Sequence, residues 1–222
     1  AKYCQDAACG LSDAVEGDRD YAVVVGGGSL KYDMYDTDGR DLDWFIGAHR
    51  GFSPPDPRGG IRNNIREETS LGFELGTRYK NAKKAFASEA IFFHTYIDDL
   101  IVNSSVGGSG NDGDTVNGGE VRTLGLELQA NYDRGLHKGW AIQTPAYIAA
   151  TLTRATFESD VSSTDAESIF NGSKKGNRLP YIPEAVISFG FGVIYKKLST
   201  NIDANYQTTS FADGANTGKG PN

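Results

Sequence analysis

Apolar and polar residues alternate along the chain in several long segments, one of which runs from residue 69 to residue 80. One set of alternate positions is largely apolar or aromatic, and the set between them is glycine or charged: Leu71, Phe73, Leu75, Thr77 and Tyr79 against Gly72, Glu74, Gly76 and Arg78. Successive side chains of a strand point to opposite faces, so this pattern predicts a strand with one apolar face and one polar face. A charged turn over residues 80–84 and a second alternating segment up to Tyr96 complete a predicted β-hairpin.

The same alternation recurs along the rest of the chain. It is regular over residues 120–133, 185–195 and 198–206, and looser over 29–36, 43–52 and 140–157. Residues 21–25 form a short β-branched run before three glycines, and the Gly- and Asn-rich tail from Asp213 is expected to be unstructured. The chain has 28 glycines and 11 each of Tyr and Phe, which suits a sheet better than a helical bundle. We therefore predict an all-β fold of about eight or nine antiparallel strands.

The connections between these segments alternate between short and long. Short ones are predicted near 37–41, 80–84, 134–139 and 196–197, and long ones near 52–68, 98–119 and 158–183. An up-and-down sheet places all short turns at one end, which is the layout of a transmembrane β-barrel with long extracellular loops. The strands have about 10 to 15 residues, and a tilted strand needs about 9 to 11 to cross the hydrocarbon layer. Aromatic residues beside the short turns would form an interfacial girdle: Tyr79, Tyr132, Trp140 and Tyr195.

We predict from this layout a partial antiparallel up-and-down transmembrane β-barrel in the bacterial outer membrane. The alternative is a soluble sandwich or lipocalin-like barrel, in which the same apolar residues would face a core. A formal net charge of −7 argues against a nucleic-acid partner, because phosphate binding needs a basic face. The sequence has no run of 18 or more apolar residues, so it predicts no transmembrane helix.

No catalytic constellation stands out in the sequence. His49, His94 and His137 fall on different predicted strands or turns, and none has a carboxylate or cysteine at ligand spacing. We therefore expect no enzyme activity, no cofactor and no metal site. Cys4 and Cys9 lie close together in a loop-like context, which indicates either a small disulfide clip in an oxidising compartment or two unrelated thiols.

Four segments carry a resemblance to a known family. The run Gly47-Ala48-His49-Arg50-Gly51-Phe52-Ser53-Pro54-Pro55 resembles TonB-dependent outer-membrane receptors, in the branch that includes ferric-citrate receptors. Residues 67–79, 119–128 and 179–184 are similar to the same family in the same order. The resemblance covers residues 42–210, and its first segment is the most specific.

The resemblance implies a barrel of about 22 strands around an N-terminal plug. Such receptors take up scarce ligands, usually ferric chelates, with energy passed from the inner membrane by TonB. Residues 1–222 show no plug, TonB box or closing strand, so the whole chain is expected to be part of one barrel domain of a longer receptor. The expected partners are a ferric chelate such as ferric citrate or a siderophore, the TonB complex through the missing plug, and outer-membrane lipid. The alternatives are a passive porin-like or structural barrel, and a soluble ligand-binding β-barrel.

An anionic ferric chelate would need cationic partners, and arginine binds carboxylates through two parallel hydrogen bonds. Arg58, Arg62 and Arg66 lie in one predicted extracellular loop, with His49 and Arg50 at the strand end below it. We predict these five residues as ligand contacts. The alternative is that the loop charges are only solvated and that His49 and Arg50 belong to a structural motif at the loop base.

Overall fold

The computed structural model describes residues 20–37, 39–55, 64–81, 83, 85–103, 115–161 and 169–220, together with two short strands near the N-terminus. Cys4, Cys9, Arg58 and Arg62 lie outside the described residues. The predicted disulfide therefore stays a prediction.

Eight long strands make up most of the described chain: β3 (Gly26–Thr37), β4 (Arg40–Ser53), β5 (Glu68–Lys80), β6 (Phe86–Asp98), β9 (Val121–Asp133), β11 (Pro145–Phe157), β12 (Ala185–Tyr195) and β13 (Leu198–Gln207). The shorter elements are β1 (Lys2–Tyr3), β2 (Val15–Glu16), β7 (Ile101–Asn103), β8 (Thr115–Asn117), β10 (Ile142–Gln143) and one helix, α1 (Arg134–Lys138). No helix in the described part of the chain is long and apolar enough to cross a membrane.

The long strands form a single antiparallel meander. The order is β3-β4-β5-β6-β9-β11-β12-β13, with each strand paired to the next, and β10 adds a short pairing with β12. The short strands β1 with β2, and β7 with β8, form separate hairpins. The prediction of an all-β, up-and-down antiparallel sheet is confirmed.

One face of this sheet is apolar, and we call it the outer face. Cross-strand pairing aligns one apolar residue from each of six neighbouring strands in a row: Leu30, Ile46, Leu75, Phe92, Leu126 and Leu152. Many of these side chains are exposed, with Leu30 at 69% and Ile46 at 55%. A contiguous apolar surface of this size marks a contact with another apolar phase, and in a transmembrane barrel that phase is lipid.

The opposite, inner face is rich in glycine, and rings from neighbouring strands cover several of these glycines. A Cβ atom built on each covered glycine would come within 2.2 to 2.4 Å of a ring atom. These pairs are Gly72 with His49, Gly76 with Phe45, Gly125 with Phe93, and Gly190 with Tyr147. The glycines that alternate with apolar residues in the sequence thus provide the space in which these rings pack against the sheet.

The two ends of the sheet differ as the sequence predicts. Turns between β3 and β4, β5 and β6, and β12 and β13 lie at one end, and the long connections lie at the other. Three aromatic residues of the short-turn end form a row along the outer face, with ring centroids 5.9 Å apart for the tilted pair Tyr79 and Phe86 and 6.4 Å apart for the edge-to-face pair Phe86 and Tyr132. This aromatic row has the position of an interfacial girdle.

Three details differ from the sequence analysis. Residues 134–138 form the helix α1 instead of a plain turn, because the Asp133 carboxylate accepts a hydrogen bond from the Leu136 amide at 2.9 Å and Gly139 ends the helix with φ 71°. Strand β3 begins at Gly26, so the three glycines pair with β4 and residues 21–25 do not form the strand. The C-terminal tail is folded, through contacts that its composition did not indicate.

Candidate functional site

The predicted ligand residues His49 and Arg50 lie near the long-loop end of β4, but on opposite faces. His49 is on the inner face, flanked in register by Gly27 and Gly72, and its imidazole lies over Gly72. Arg50 is on the outer face, paired with Leu71 and in line with Ile46 and Ala48. The two side chains therefore lie on opposite sides of the sheet and do not share one surface.

Arg66 lies in the segment that leads into β5. Its contacts join the β4–β5 loop to the β6–β9 loop. Its guanidinium forms an ion pair with Asp99, with 2.5 Å between Nη2 and Oδ1. The Arg66 amide donates to Asn117 Oδ1 at 2.8 Å, and the Asn117 side chain donates to the carbonyl oxygens of Arg66 and Asp99, each at 3.0 Å. Arg66 thus helps to hold the loops together, and 68% of its side chain remains exposed.

The inner face below His49 is polar and charged. Arg78 forms an ion pair with Glu89, and its guanidinium lies 4.4 Å from the centroid of the Phe45 ring. Lys31 bridges Asp33 and Asp43 at 2.6 and 3.2 Å. These pairs form a hydrated wall of the kind that lines a barrel interior.

A second polar group lies on the inner face nearer the short-turn end. Tyr147 of β11 donates a hydrogen bond to Asp203 at 2.9 Å, and Ser188 of β12 donates to Asn205 at 2.6 Å, so β13 is linked through side chains to both β11 and β12. Glu127 on β9 has no ion-pair partner among the residues that the structure describes. In the described ranges no three His, Cys, Asp or Glu side chains group as metal ligands.

A compact cap covers the long-loop end over β9, β11 and β12, and we define the loop cap as residues 158–161, 169–184 and 208–220. Its core is Phe157, Val121 and Val161, which are 0%, 1% and 7% exposed, with four partly buried neighbours: Ile97, Leu100, Phe170 and Leu179. The sequence contains these residues, but nothing in the alternating pattern marks residues from three strand ends and two connections as one cluster.

The tail joins the loop cap through side chains that bond to backbone. Asn216 and Arg178 exchange two hydrogen bonds, of 2.7 and 2.8 Å, and the Tyr181 amide donates to the Phe211 carbonyl oxygen at 2.8 Å. Hydrogen bonds from the Thr217 amide, and then from the Gly218 amide and the Thr217 hydroxyl, hold the pKa of the Asp213 carboxyl below its ordinary value. The tail is therefore an ordered part of the cap.

Sequence reasoning missed three arginines on the outer side of the long-loop end. Arg122 and Arg154 occupy positions in phase with the apolar residues of β9 and β11, and Arg178 pairs with Thr156 of β11 through an isolated bridge. A cation at an otherwise apolar alternate position is the signal that could have identified them.

The apolar outer face, polar inner face and unequal ends define a segment of a transmembrane β-barrel wall. The chain belongs to the family described as TonB dependent receptor-like, beta-barrel, which it matches over residues 7–222. The family is one of transport receptors.

Solved structures of similar fold agree with this membership. The ferric yersiniabactin uptake receptor FyuA from Yersinia pestis is 21% identical with a TM-score of 0.67, over 94% of this chain and 30% of that one. The ferric citrate transporter FecA in its unliganded form is 22% identical with a TM-score of 0.56, over 87% of this chain and 28% of that one. The copper transporter OprC is 19% identical with a TM-score of 0.55, over 83% and 26%. At these identities the likeness shows the fold, and the chain spans less than a third of each of these proteins.

Proposed function

We propose that this chain is part of the barrel wall of an active transport receptor in the bacterial outer membrane, and that the receptor takes up a ferric chelate such as ferric citrate or a siderophore. The observation that carries the proposal is the family match over residues 7–222, together with a two-faced sheet whose inner face is polar. In this proposal the remaining strands and a plug that engages TonB belong to other parts of the receptor.

The names of the similar structures support a metal-bearing ligand. Two of them are described as carriers of ferric chelates and one as a copper transporter. The sequence resemblance over residues 47–55 favours the ferric-citrate branch, and arginines suit a ligand whose surface is rich in carboxylates.

The geometry supports some of the five proposed ligand contacts more than others. His49 lies on the inner face, and Arg66 keeps an exposed guanidinium at the long-loop end, which supports both as proposed contacts of a ligand that enters from the loops. Arg58 and Arg62 remain proposed contacts from the sequence. Arg50 is proposed with less support, because it lies on the outer face.

The test is uptake of radioactive iron by cells that carry the complete receptor as their single outer-membrane iron receptor. We expect uptake of ferric citrate or of a siderophore complex that disappears when TonB is deleted. Uptake that persists without TonB would instead indicate a passive porin-like barrel and would overturn the proposal.

A second measurement tests the contacts. Changing Arg58, Arg62 and Arg66 together to Gln should weaken chelate binding by about tenfold or more, since charge-assisted hydrogen bonds are lost. The matched control is Lys83→Gln, because Lys83 lies at the short-turn end, where its ammonium donates to the His137 carbonyl oxygen at 2.9 Å. Unchanged chelate affinity in the triple variant would reject these arginines as ligand contacts.

A further inference from the structure

Exposed cations gather at the short-turn end of the sheet, on the side of β9, β12 and the helix α1. Five of them belong to the connections that follow β5, β9 and β12, and we call this set the basic rim: Lys83, Arg134, Lys138, Lys196 and Lys197. All five residues are exposed, and none forms an ion pair with another residue that the structure describes.

Backbone and side-chain contacts join these three connections into one surface. The Lys83 ammonium donates a hydrogen bond to the His137 carbonyl oxygen at 2.9 Å, which ties the β5–β6 turn to α1. The short strand β10, which follows α1, pairs with the end of β12, where Ile142 lies opposite Tyr195. The turn that holds the last two lysines begins directly after Tyr195. The basic rim is therefore continuous from the β5–β6 turn to the start of β13.

Cations of the rim lie beside exposed aromatic rings. The Arg134 guanidinium lies 5.5 Å from the centroid of the Trp140 ring, and the Lys196 ammonium lies 5.1 Å from the centroid of the Tyr195 ring. Trp140 is 51% exposed and Tyr195 is 42% exposed. Aromatic rings next to basic side chains suit a membrane interface, where the rings meet the acyl boundary and the cations meet the headgroups.

The carboxylates of the short-turn end leave the rim positive. Asp133 is the carboxylate beside it, and its Oδ1 accepts hydrogen bonds from the Leu136 and Thr144 amides, at 2.9 and 3.0 Å. Three others belong by sequence to the β3–β4 turn and its flanks: Asp36, Asp38 and Asp41. Strands β5 and β6 separate that turn from β9 and α1. One adjacent carboxylate thus stands against five cations.

We propose that the basic rim binds the headgroups of anionic phospholipids in the leaflet at the short-turn end. Each basic side chain near an anionic lipid surface adds to the attraction, and both guanidinium and ammonium groups bind phosphate oxygens. The occupant is a lipid because exposed apolar side chains lie among the cations: Leu136, Trp140, Ile142 and Leu198. The proposal rests on the proposed outer-membrane location, with the long loops outside.

Native mass spectrometry of the complete receptor, purified in detergent, tests the proposal. The probes are phosphatidylglycerol and phosphatidylethanolamine with the same acyl chains, since both carry a phosphate and only the first has a net negative charge. We expect phosphatidylglycerol to be retained about tenfold more strongly. The double variant Arg134→Gln with Lys138→Gln should remove most of that preference.

A charge-conserving variant separates the effect of charge from damage to α1. Arg134→Lys with Lys138→Arg keeps both cations, so it should keep the preference for the anionic lipid. Heat-modifiable migration on a gel checks that each variant is folded. Loss of the preference in the charge-conserving variant to the same extent as in the Gln variant would overturn the proposal.

Lys174→Gln with Lys175→Gln is the matched control. It removes the same charge from the opposite end, where these exposed lysines pair with Asp160 and Glu158. Equal retention of the two lipids by the unaltered receptor, or an equal loss of preference in this control, would overturn the proposal. Displacement of phosphatidylglycerol by an equal concentration of inorganic phosphate would indicate a site for soluble anions and would also overturn it.

Iron uptake separates this inference from the proposed function. Arg134 and Lys138 lie at the end opposite the long loops, so their change to Gln should leave TonB-dependent uptake unchanged while it alters lipid retention. Absence of uptake in the unaltered receptor would count against the proposed function alone, and the lipid measurement would keep its own outcome.

Discussion

The spanning sheet and the loop cap lie next to each other and are stabilised in different ways. The sheet exposes many large apolar side chains, such as Leu30 and Ile46, and its strands are joined by backbone ladders. The loop cap buries Phe157 and Val121 almost completely and closes its turns with polar side chains. The sheet is suited to lipid and the cap to water, so substitutions should affect the two regions by different mechanisms.

The largest expected effect is in the core of the cap. Phe157→Ala removes a fully buried ring, and such truncations cost about 3 to 5 kcal/mol. We expect faster proteolysis within the loop cap, residues 158–161, 169–184 and 208–220, while the barrel keeps its heat-modifiable migration on a gel. Phe189→Ala is the control, since this ring is 52% exposed on the outer face, and it should leave the cap resistant.

A charge on the outer face should destabilise the sheet and leave the cap folded. Leu75→Lys places an ammonium in the middle of the apolar row, at a cost of about 2 to 4 kcal/mol if it lies at the bilayer midplane. Glu127→Lys puts the same group on the inner face, where water is available. Folding into lipid vesicles should therefore be weakened by the first change and not by the second. Equal effects would mean that the two faces are wrongly assigned.

The close packing of rings over glycines gives a smaller effect within the sheet. A Cβ at position 125 would lie 2.4 Å from the Leu152 carbonyl oxygen and 2.4 Å from the Phe93 ring, so Gly125→Ala forces the backbone and the ring to move. We expect a loss of about 1 to 3 kcal/mol in folding into vesicles. Gly28→Ala is the matched control in another strand, because nothing lies within 4 Å of its Cβ. A similar loss in both variants would show that the ring contact is unimportant.

Much of the sheet could be predicted from the sequence because its pattern is local. A period of two, with glycine and charge on one face, fixes which side of each strand is apolar, and the alternation of short and long connections fixes the ends. The start of β3 was misplaced because a glycine run is usually a loop signal, whereas here Gly27 lies in a strand beside His49. The family resemblance came from four segments, of which residues 47–55 are the most specific, and the match over residues 7–222 confirms the family.

The site could be predicted only in part, because it depends on contacts between distant residues. Adjacency in sequence placed His49 and Arg50 together, but neighbouring residues of a strand face opposite ways, so the structure separates them. Some contacts join residues of different loops: Arg66 with Asp99 and Asn117, and Arg122 with Glu158. The sequences of these loops have no regular apolar pattern from which such contacts could be predicted. The tail from Asp213 was expected to be unstructured for the same reason.

The smallest expected effect concerns the acid stability of the cap. Because its hydrogen bonds lower the pKa of Asp213 in the folded state below the ordinary value of 3.8, this carboxylate stabilises the cap above the unfolded-state pKa. That contribution is lost as the pH falls through the lower, folded-state pKa. Hydrogen exchange of the Thr217 and Gly218 amides, corrected for intrinsic rates, should show protection that declines as the pH falls below 3.8. Asp213→Asn should lower the protection of these amides already at pH 6 and make that protection depend less on pH. Some dependence on pH should remain, because Asp160 still titrates and its pKa is also lowered, by a hydrogen bond from the Lys175 amide. If the unaltered cap and the variant lost protection in parallel, the ordering of the tail would not depend on the Asp213 charge, and the polar turns of the cap would be secondary to its Phe157 core.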